Sequence, residues 1–275
     1  MKPAPFSYHR ASSIEDALSS LAAAEGMAAV LAGGQSLVPM LNLRLSPVDH
    51  LVDLAMVSEL SQHEADDYAI HYGALTTHSA FEDHAVPDGT NGLMPFMAAR
   101  IAYRAIRNRG TLGGALALAD PAADWLTTAV ALDATLTLVS DDGRRQLPVS
   151  DFVVGPYFTQ IAEQEIIERV TIARRSKSER WGCFKMAPKV GEYAKSIAVA
   201  LVDREQGTAS VVIGAWNDVP LRLENVAQAL LNQADKQSLT QVAAEELIEK
   251  GPALSAAERR LHHSSILRAA SQATA

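Results

Sequence analysis

The chain has 275 residues, of which 48% are hydrophobic and 20% charged, with a formal net charge of -8 and one cysteine, Cys183. That length is enough for two apolar cores, and no apolar run approaches the roughly 20 residues that span a bilayer, which argues against a transmembrane segment. A lone cysteine excludes an internal disulfide and a cysteine-ligated iron-sulfur or zinc centre on this chain, while the acidic balance, without a Lys/Arg stripe, argues against nucleic acid as a partner.

Residues 1–6 carry one positive charge but no apolar segment behind it and no small-residue cleavage site, so no secretory signal is read and the cytoplasm is the expected compartment. Residues 6–9 predict a first strand. Ser12 and Glu15 stand at capping-box spacing before a helix carried by Ile14, Leu18, Leu21 and Ala22 and closed by Gly26. Residues 27–32, short and wholly apolar, predict a buried strand that runs into Gly33-Gly34-Gln35-Ser36. A short helix over 37–45 and a strand over 49–54 complete a β-α-β-type unit across residues 5–55.

From 56 to 175 the pattern predicts short strands, an apolar helix over 94–106, and a second glycine turn, Arg107-Asn108-Arg109-Gly110-Thr111-Leu112-Gly113-Gly114. Asp120 and Pro121 suit the N-cap and first position of a helix running to Leu132. Residues 135–139 and 145–149 flank Asp142-Gly143 as a hairpin would, and a strand is expected over 166–172. The polar stretch 173–180 predicts a domain boundary, dividing the chain into 1–175 and 176–275. Beyond it, strands over 197–202 and 209–215 precede helices rich in Ala and Leu. There is no internal repeat.

The two glycine turns carry the chemistry. Glycine lets a backbone approach a ligand closely and tolerates positive φ, so amide N–H groups converge into a nest for phosphate oxygens. Gln35 and Ser36 add side-chain donors to the first turn, and Thr111 adds a hydroxyl to the second. Two such nests point to a long anionic ligand such as a diphosphate; the alternative is that each diglycine merely serves a tight turn. Neither a G-x-G-x-x-G fingerprint nor a G-x-x-x-x-G-K-[ST] loop is present.

Ala32-Gly33-Gly34-Gln35-Ser36-Leu37 resembles the first FAD-pyrophosphate motif of the medium, flavoprotein subunits of molybdenum hydroxylases. The second turn, from Ile106 to Gly114 and on through Ala119-Asp120-Pro121-Ala122-Ala123-Asp124, is similar to the signature of that family almost residue for residue. Tyr72-Gly73-Ala74-Leu75-Thr76-Thr77 and the segments at Phe184-Lys185 and Tyr193-Ala194 resemble further family blocks in the same order, so the likeness spans most of the chain. It implies an α+β fold: a vanillyl-alcohol-oxidase (PCMH)-like FAD-binding domain of two α/β subdomains, 1–55 and 56–175, plus a C-terminal domain of antiparallel sheet and helices.

Carried over by position, the resemblance implies that residues 32–36 and Thr111, Leu112, Gly113, Gly114 and Ala115 hold the pyrophosphate and adjoining sugar. Asp124 would contact FAD, Ile101 and Ile167 would be apolar contacts, Lys185 would lie near the flavin ring, and Tyr193 would be an aromatic beside it. Each has a plainer reading: Asp124 as a first-turn helix carboxylate, Lys185 as a solvated surface lysine, Ile101, Ile167 and Tyr193 as core. His262 and His263, adjacent on a helix, are expected at the surface, and Cys183 as a small buried filler.

The resemblance also implies a division of labour. Molybdopterin would sit on a large partner and two [2Fe-2S] clusters on a small one, in a dimer of heterotrimers, and this chain would relay electrons from the clusters to an external acceptor. The rivals are a self-contained flavin oxidase or reductase and a non-catalytic assembly module. Against the first, the C-terminal region shows no cluster of polar side chains that would form a substrate pocket.

Overall fold

The computed structural model describes residues 2–216 and 218–275. At the N-terminus, β1 (Ser7–Arg10), α1 (Ile14–Ala22), β2 (Ala28–Leu31), α2 (Leu37–Asn42) and β3 (His50–Asp53) form the expected βαβ unit, a parallel sheet in the order β1-β3-β2. Ile14, Ala17, Leu18 and Leu21 recur at helical spacing and pack with Val52, Leu54 and Val139. The cap lies one residue later than expected. Ser13, not Ser12, caps the helix by accepting from the Asp16 N–H, while Ser12 donates to the Asp16 carboxylate. The helix closes at Ala23, before Gly26, whose positive φ serves the turn into β2.

The second layer is an antiparallel sheet, β4 (His63–Ala65), β5 (Ala69–Gly73), β6 (Thr135–Ser140), β7 (Gly143–Pro148) and, after the small β8 (Val153–Gly155) and β9 (Phe158–Thr159) ribbon, β10 (Ile166–Ala173). Its order is β4-β5-β10-β6-β7, with Ser140 opposite Gly143 across the expected hairpin turn. Between β5 and β6 run α3 (His78–Glu82), α4 (Leu93–Ala98), α5 (Arg104–Arg107), α6 (Leu112–Leu118) and α7 (Asp124–Ala131). The expected 94–106 helix is thus two helices. It breaks where Ile101 bridges to Gly191 and Ala102 takes a φ of 44°, a conformation no helix interior accepts. Likewise α7 begins at Asp124 rather than after Asp120, because the Asp120 carboxylate closes a local turn on the Ala122 N–H.

The third layer is the antiparallel sheet β11 (Arg180–Met186), β12 (Ser196–Asp203), β13 (Thr208–Gly214) and β14 (Leu221–Arg222), followed by α8 (Glu224–Leu231), α9 (Lys236–Lys250) and α10 (Ala256–Ala273). β12 is buried on both faces. Ile197, Val199 and Leu201 join the core around α7 and the second sheet, whereas Ala198, Ala200 and Val202 pack under α8 and α10. The expected surface site of His262 is overturned: it is buried on α10, its Nδ1 2.9 Å from Ser196 Oγ at the start of β12. Its neighbour His263 sits half-buried, Nε2 2.9 Å from the Thr240 carbonyl.

Candidate functional site

The fold brings the two glycine turns into contact. A Cβ on Gly33 would lie 2.0 Å from the Arg109 carbonyl oxygen and 2.9 Å from Gly110 Cα, and one on Gly114 would lie 3.3 Å from Ala32 Cβ. Glycine at 33 lets the chain after β2 meet the turn after α5 at backbone distance, and glycine at 114 lets α6 pack close on Ala32.

The turns are not alike. At the first, Gly34 takes a φ of +73°, Gln35 Nε2 donates back to the Gly33 carbonyl at 3.1 Å, and Ser36 precedes α2 without a side-chain cap bond. Among the described residues, the N–H groups of Gly33, Gly34, Gln35 and Ser36 have no protein acceptor. At the second turn the amides of residues 112–115 are occupied: Leu112 donates to the Thr76 carbonyl (2.9 Å), Gly113 to Ala74 (2.8 Å), Gly114 to Thr111 Oγ1 (3.1 Å) and Ala115 to the Thr111 carbonyl (3.0 Å). The expectation of two amide nests is corrected to one. The second turn contributes the Thr111 hydroxyl and a close-packed floor, because Gly113 and Gly114 lie in the first turn of α6, which caps on Thr111 and abuts residues 74–76.

Asp124 and Lys185, separate in sequence, are joined here. Lys185 Nζ donates to Asp124 Oδ2 at 2.9 Å and to the Arg100 carbonyl at 3.2 Å, and its side chain is 7% exposed, so it is no surface lysine. Asp124 opens α7 with its Oδ1 buried and unpartnered. Burial holds the Asp124 carboxyl above its usual range against the opposing pull of Lys185. A buried acceptor without a protein partner is costly and fits a hydroxyl donor on a ligand. Beside the pair, the buried Cys183 thiol lies 3.2 Å from Met97 Sδ, and burial, then the Asp124 charge, push it up to about 12. Cys183 is therefore expected to resist iodoacetamide in the native chain at neutral pH and to alkylate fully once denatured, read by intact mass.

Tyr193 is 63% exposed, not core. With Tyr157, Pro156, Asp120, Pro121 and Ala122 it lines an open cleft of about 360 Å³. Partial burial and then the Asp120 carboxylate hold both phenols above their usual range. Ile101 is half-buried against the main core, and Ile167 lies fully packed on β10. Sequence reasoning missed the buried pair His78 and Trp125, joined at 2.9 Å beneath Gly110. The signal available was a histidine directly after the Thr76-Thr77 step at a strand end.

The family profile described as the FAD binding domain in molybdopterin dehydrogenase matches residues 4–174. The chain belongs to this family. Relatives include the 6-hydroxypseudooxynicotine dehydrogenase complex subunit alpha of Paenarthrobacter nicotinovorans, 37% identical over 76% of this chain and 71% of that one. The carbon monoxide dehydrogenase medium chain of Hydrogenophaga pseudoflava is 30% identical over 90% and 88%. Among solved structures, carbon monoxide dehydrogenase from Hydrogenophaga pseudoflava superposes with a TM-score of 0.92 at 27% identity, covering 100% of this chain and 99% of that one. Quinoline 2-oxidoreductase from Pseudomonas putida 86 gives 0.88 at 31%, covering 100% of both.

The protein is thus an FAD-binding, medium-type subunit of a molybdenum-dependent oxidoreductase, with the PCMH-like α+β fold, and FAD is its cofactor. The chain fits that group: free backbone donors at the first turn suit a diphosphate, and the orphaned Asp124 oxygen suits a sugar or ribityl hydroxyl. Among the described residues no cluster of His, Cys, Asp and Glu could hold a metal, and no helix is long and apolar enough to cross a membrane.

Proposed function

We propose that this chain is the electron-relaying subunit of its complex, standing between the [2Fe-2S] clusters of a small partner and an external oxidant, with the molybdopterin on a large partner. The single observation that carries the reading is the row of free amides at residues 33–36, packed through Gly33 against Arg109 and Gly110 of the second turn, in a chain that also holds a buried Asp124 oxygen in need of a donor. Bound FAD supplies the capacity to store two electrons and to exchange them singly. The chain's own residues supply position and charge. Ala32, Gly33, Gly34, Gln35, Ser36 and Leu37 would receive the diphosphate, Thr111 would donate its hydroxyl, and Gly113, Gly114 and Ala115 would form the floor. Asp124 would accept from a cofactor hydroxyl through Oδ1. Lys185, fixed by Asp124 and the Arg100 carbonyl, would place a cation where negative charge gathers on the ring. Ile101 and Tyr193 would border the ring, with Ile167 as packing behind it.

The same reading assigns residues 1–175 to FAD binding and 176–275 to a C-terminal domain that closes on it, in a cytoplasmic heterohexamer of two heterotrimers. Relatives named as a dehydrogenase complex subunit, a dehydrogenase medium chain and a hydroxylase medium subunit support an assembly of this kind. The purified chain is expected to be yellow and to release FAD on denaturation. Its flavin absorbance should bleach when reduced iron-sulfur partner is added under anaerobic conditions, and not with small organic donors alone. Bleaching by an organic donor without partners would instead identify a self-contained enzyme, and colourless protein that takes up no FAD would reject the relay.

A further inference from the structure

Beneath the meeting point of the two glycine turns lies a histidine that the cofactor reading leaves unassigned. His78 is 5% exposed and opens α3, its backbone N–H donating to the Gly110 carbonyl at 2.9 Å. Its Nδ1 accepts from the Trp125 indole N–H at 2.9 Å, and an indole nitrogen only donates. Nδ1 is therefore bare, Nε2 carries the proton, and the ring is neutral in one tautomer set by its partner.

The far edge of the ring presses on the second turn. A Cβ on Gly110 would meet His78 Nε2 at 2.6 Å and Cδ2 at 2.8 Å. Gly110 in turn backs the first turn, since a Cβ on Gly33 would reach its Cα at 2.9 Å. Trp125, His78, Gly110 and Gly33 form one stack without slack. It starts on α7, next to Asp124, and ends at the turn that bears the free amides.

We propose that His78 is the positioning residue of the FAD cradle: pinned by Trp125, its neutral ring sets the height of Gly110 under Gly33 and with it the placement of the diphosphate-binding amides. The inference rests on the assignment of the diphosphate to the first turn. Adding a proton at Nδ1 ends the Trp125 bond and sets a cation in a buried site. α7 contributes the neutral Trp125 to that site, and α5 contributes Arg107, itself held by Glu82 at 2.7 and 2.8 Å and by the carbonyls of Ile101 and Ala102. Burial first, and Arg107 second, lower the imidazole to about 4, so the stack stays neutral at ordinary pH and loosens as pH falls.

The test is FAD affinity of the full chain, by quenching of flavin fluorescence, from about pH 8 to about pH 4. Trp125→Phe keeps the bulk but removes the donor; its acid release midpoint should move up by about one pH unit. His78→Asn puts an acceptor oxygen where Nδ1 lies but lacks the outer ring edge under Gly110 and cannot titrate there, so it should weaken FAD at neutral pH by less than His78→Ala does and lose the acid step. His78→Ala should weaken FAD about tenfold at neutral pH. A ring that merely fills space would leave the acid midpoint of Trp125→Phe unchanged and the acid step of His78→Asn intact, and that pair of results overturns the inference even if His78→Ala does not fold. Gly33→Ala separates the two levels. Wild-type FAD affinity in that variant sinks the cradle assignment itself; loss of FAD there, with wild-type pH profiles in the other two, sinks only the role of His78.

Discussion

Gly33→Ala is expected to weaken FAD binding by at least about 100-fold while the rest of the chain stays folded. The added methyl would sit 2.0 Å from the Arg109 carbonyl oxygen and 2.7 Å from its carbon, both backbone atoms that cannot rotate away. Something must shift, and the two segments free to do so are residues 33–36 and 107–110, the pieces that shape the cradle. Gly33 has an ordinary φ, so the damage is steric and not a matter of backbone strain, unlike Gly34 at +73°. Overpacking of this kind costs about 1–3 kcal/mol, so a modest loss in melting temperature should accompany a large loss of cofactor. Equal FAD affinity in Gly33→Ala and wild type, by fluorescence titration, would place the diphosphate elsewhere.

The second large effect is expected at the buried ion pair. Lys185→Met leaves the Asp124 carboxylate without its counter-charge, and breaking a buried pair from one side costs about 3–5 kcal/mol. Because burial already raises the Asp124 carboxyl above its unfolded value, the folded chain binds that proton more readily than the unfolded one. The associated stability is complete below the unfolded value of 3.8 and is lost as pH rises through the folded one. Removing Lys185 takes away the interaction that lowers the folded value, so the loss widens toward neutral pH. The variant should therefore be more stable in mild acid than at neutral pH, as urea midpoints would show. Lys185→Met/Asp124→Leu removes both charges and should recover most of the stability without recovering FAD affinity. A flat pH profile in Lys185→Met would mean that Asp124 finds another partner.

Much of the N-terminal fold was legible in the sequence, and the parts that were not share a cause. The βαβ unit declared itself through apolar spacing in α1, the wholly apolar β2 and the diglycine after it. What each glycine turn does with its amides could not be read, because the acceptors at Ala74 and Thr76 reach Leu112 and Gly113 only through tertiary packing. The same holds for Lys185, whose burial depends on Asp124 arriving from α7, and for His262, which a pair of adjacent histidines on a polar helix gave no reason to bury. The break at Ala102 is set by the bridge from Ile101 to Gly191, far downstream. β11 escaped notice since Gly182 interrupts its apolar alternation, and the reason for that glycine lies in α10: a Cβ there would stand 2.0 Å from the Ala269 carbonyl oxygen.

β12 gives its odd-numbered side chains to the core around α7 and its even-numbered ones to the core under α8 and α10. One ribbon of backbone is thus common property of both halves of the molecule, and displacing its pairing by a single residue would empty each hydrophobic interior into the other. The C-terminal helices cannot come loose while the flavin-bearing half stays tight. Heat should consequently dismantle the chain in one cooperative transition, with no long-lived intermediate that keeps its colour after the last helices have melted.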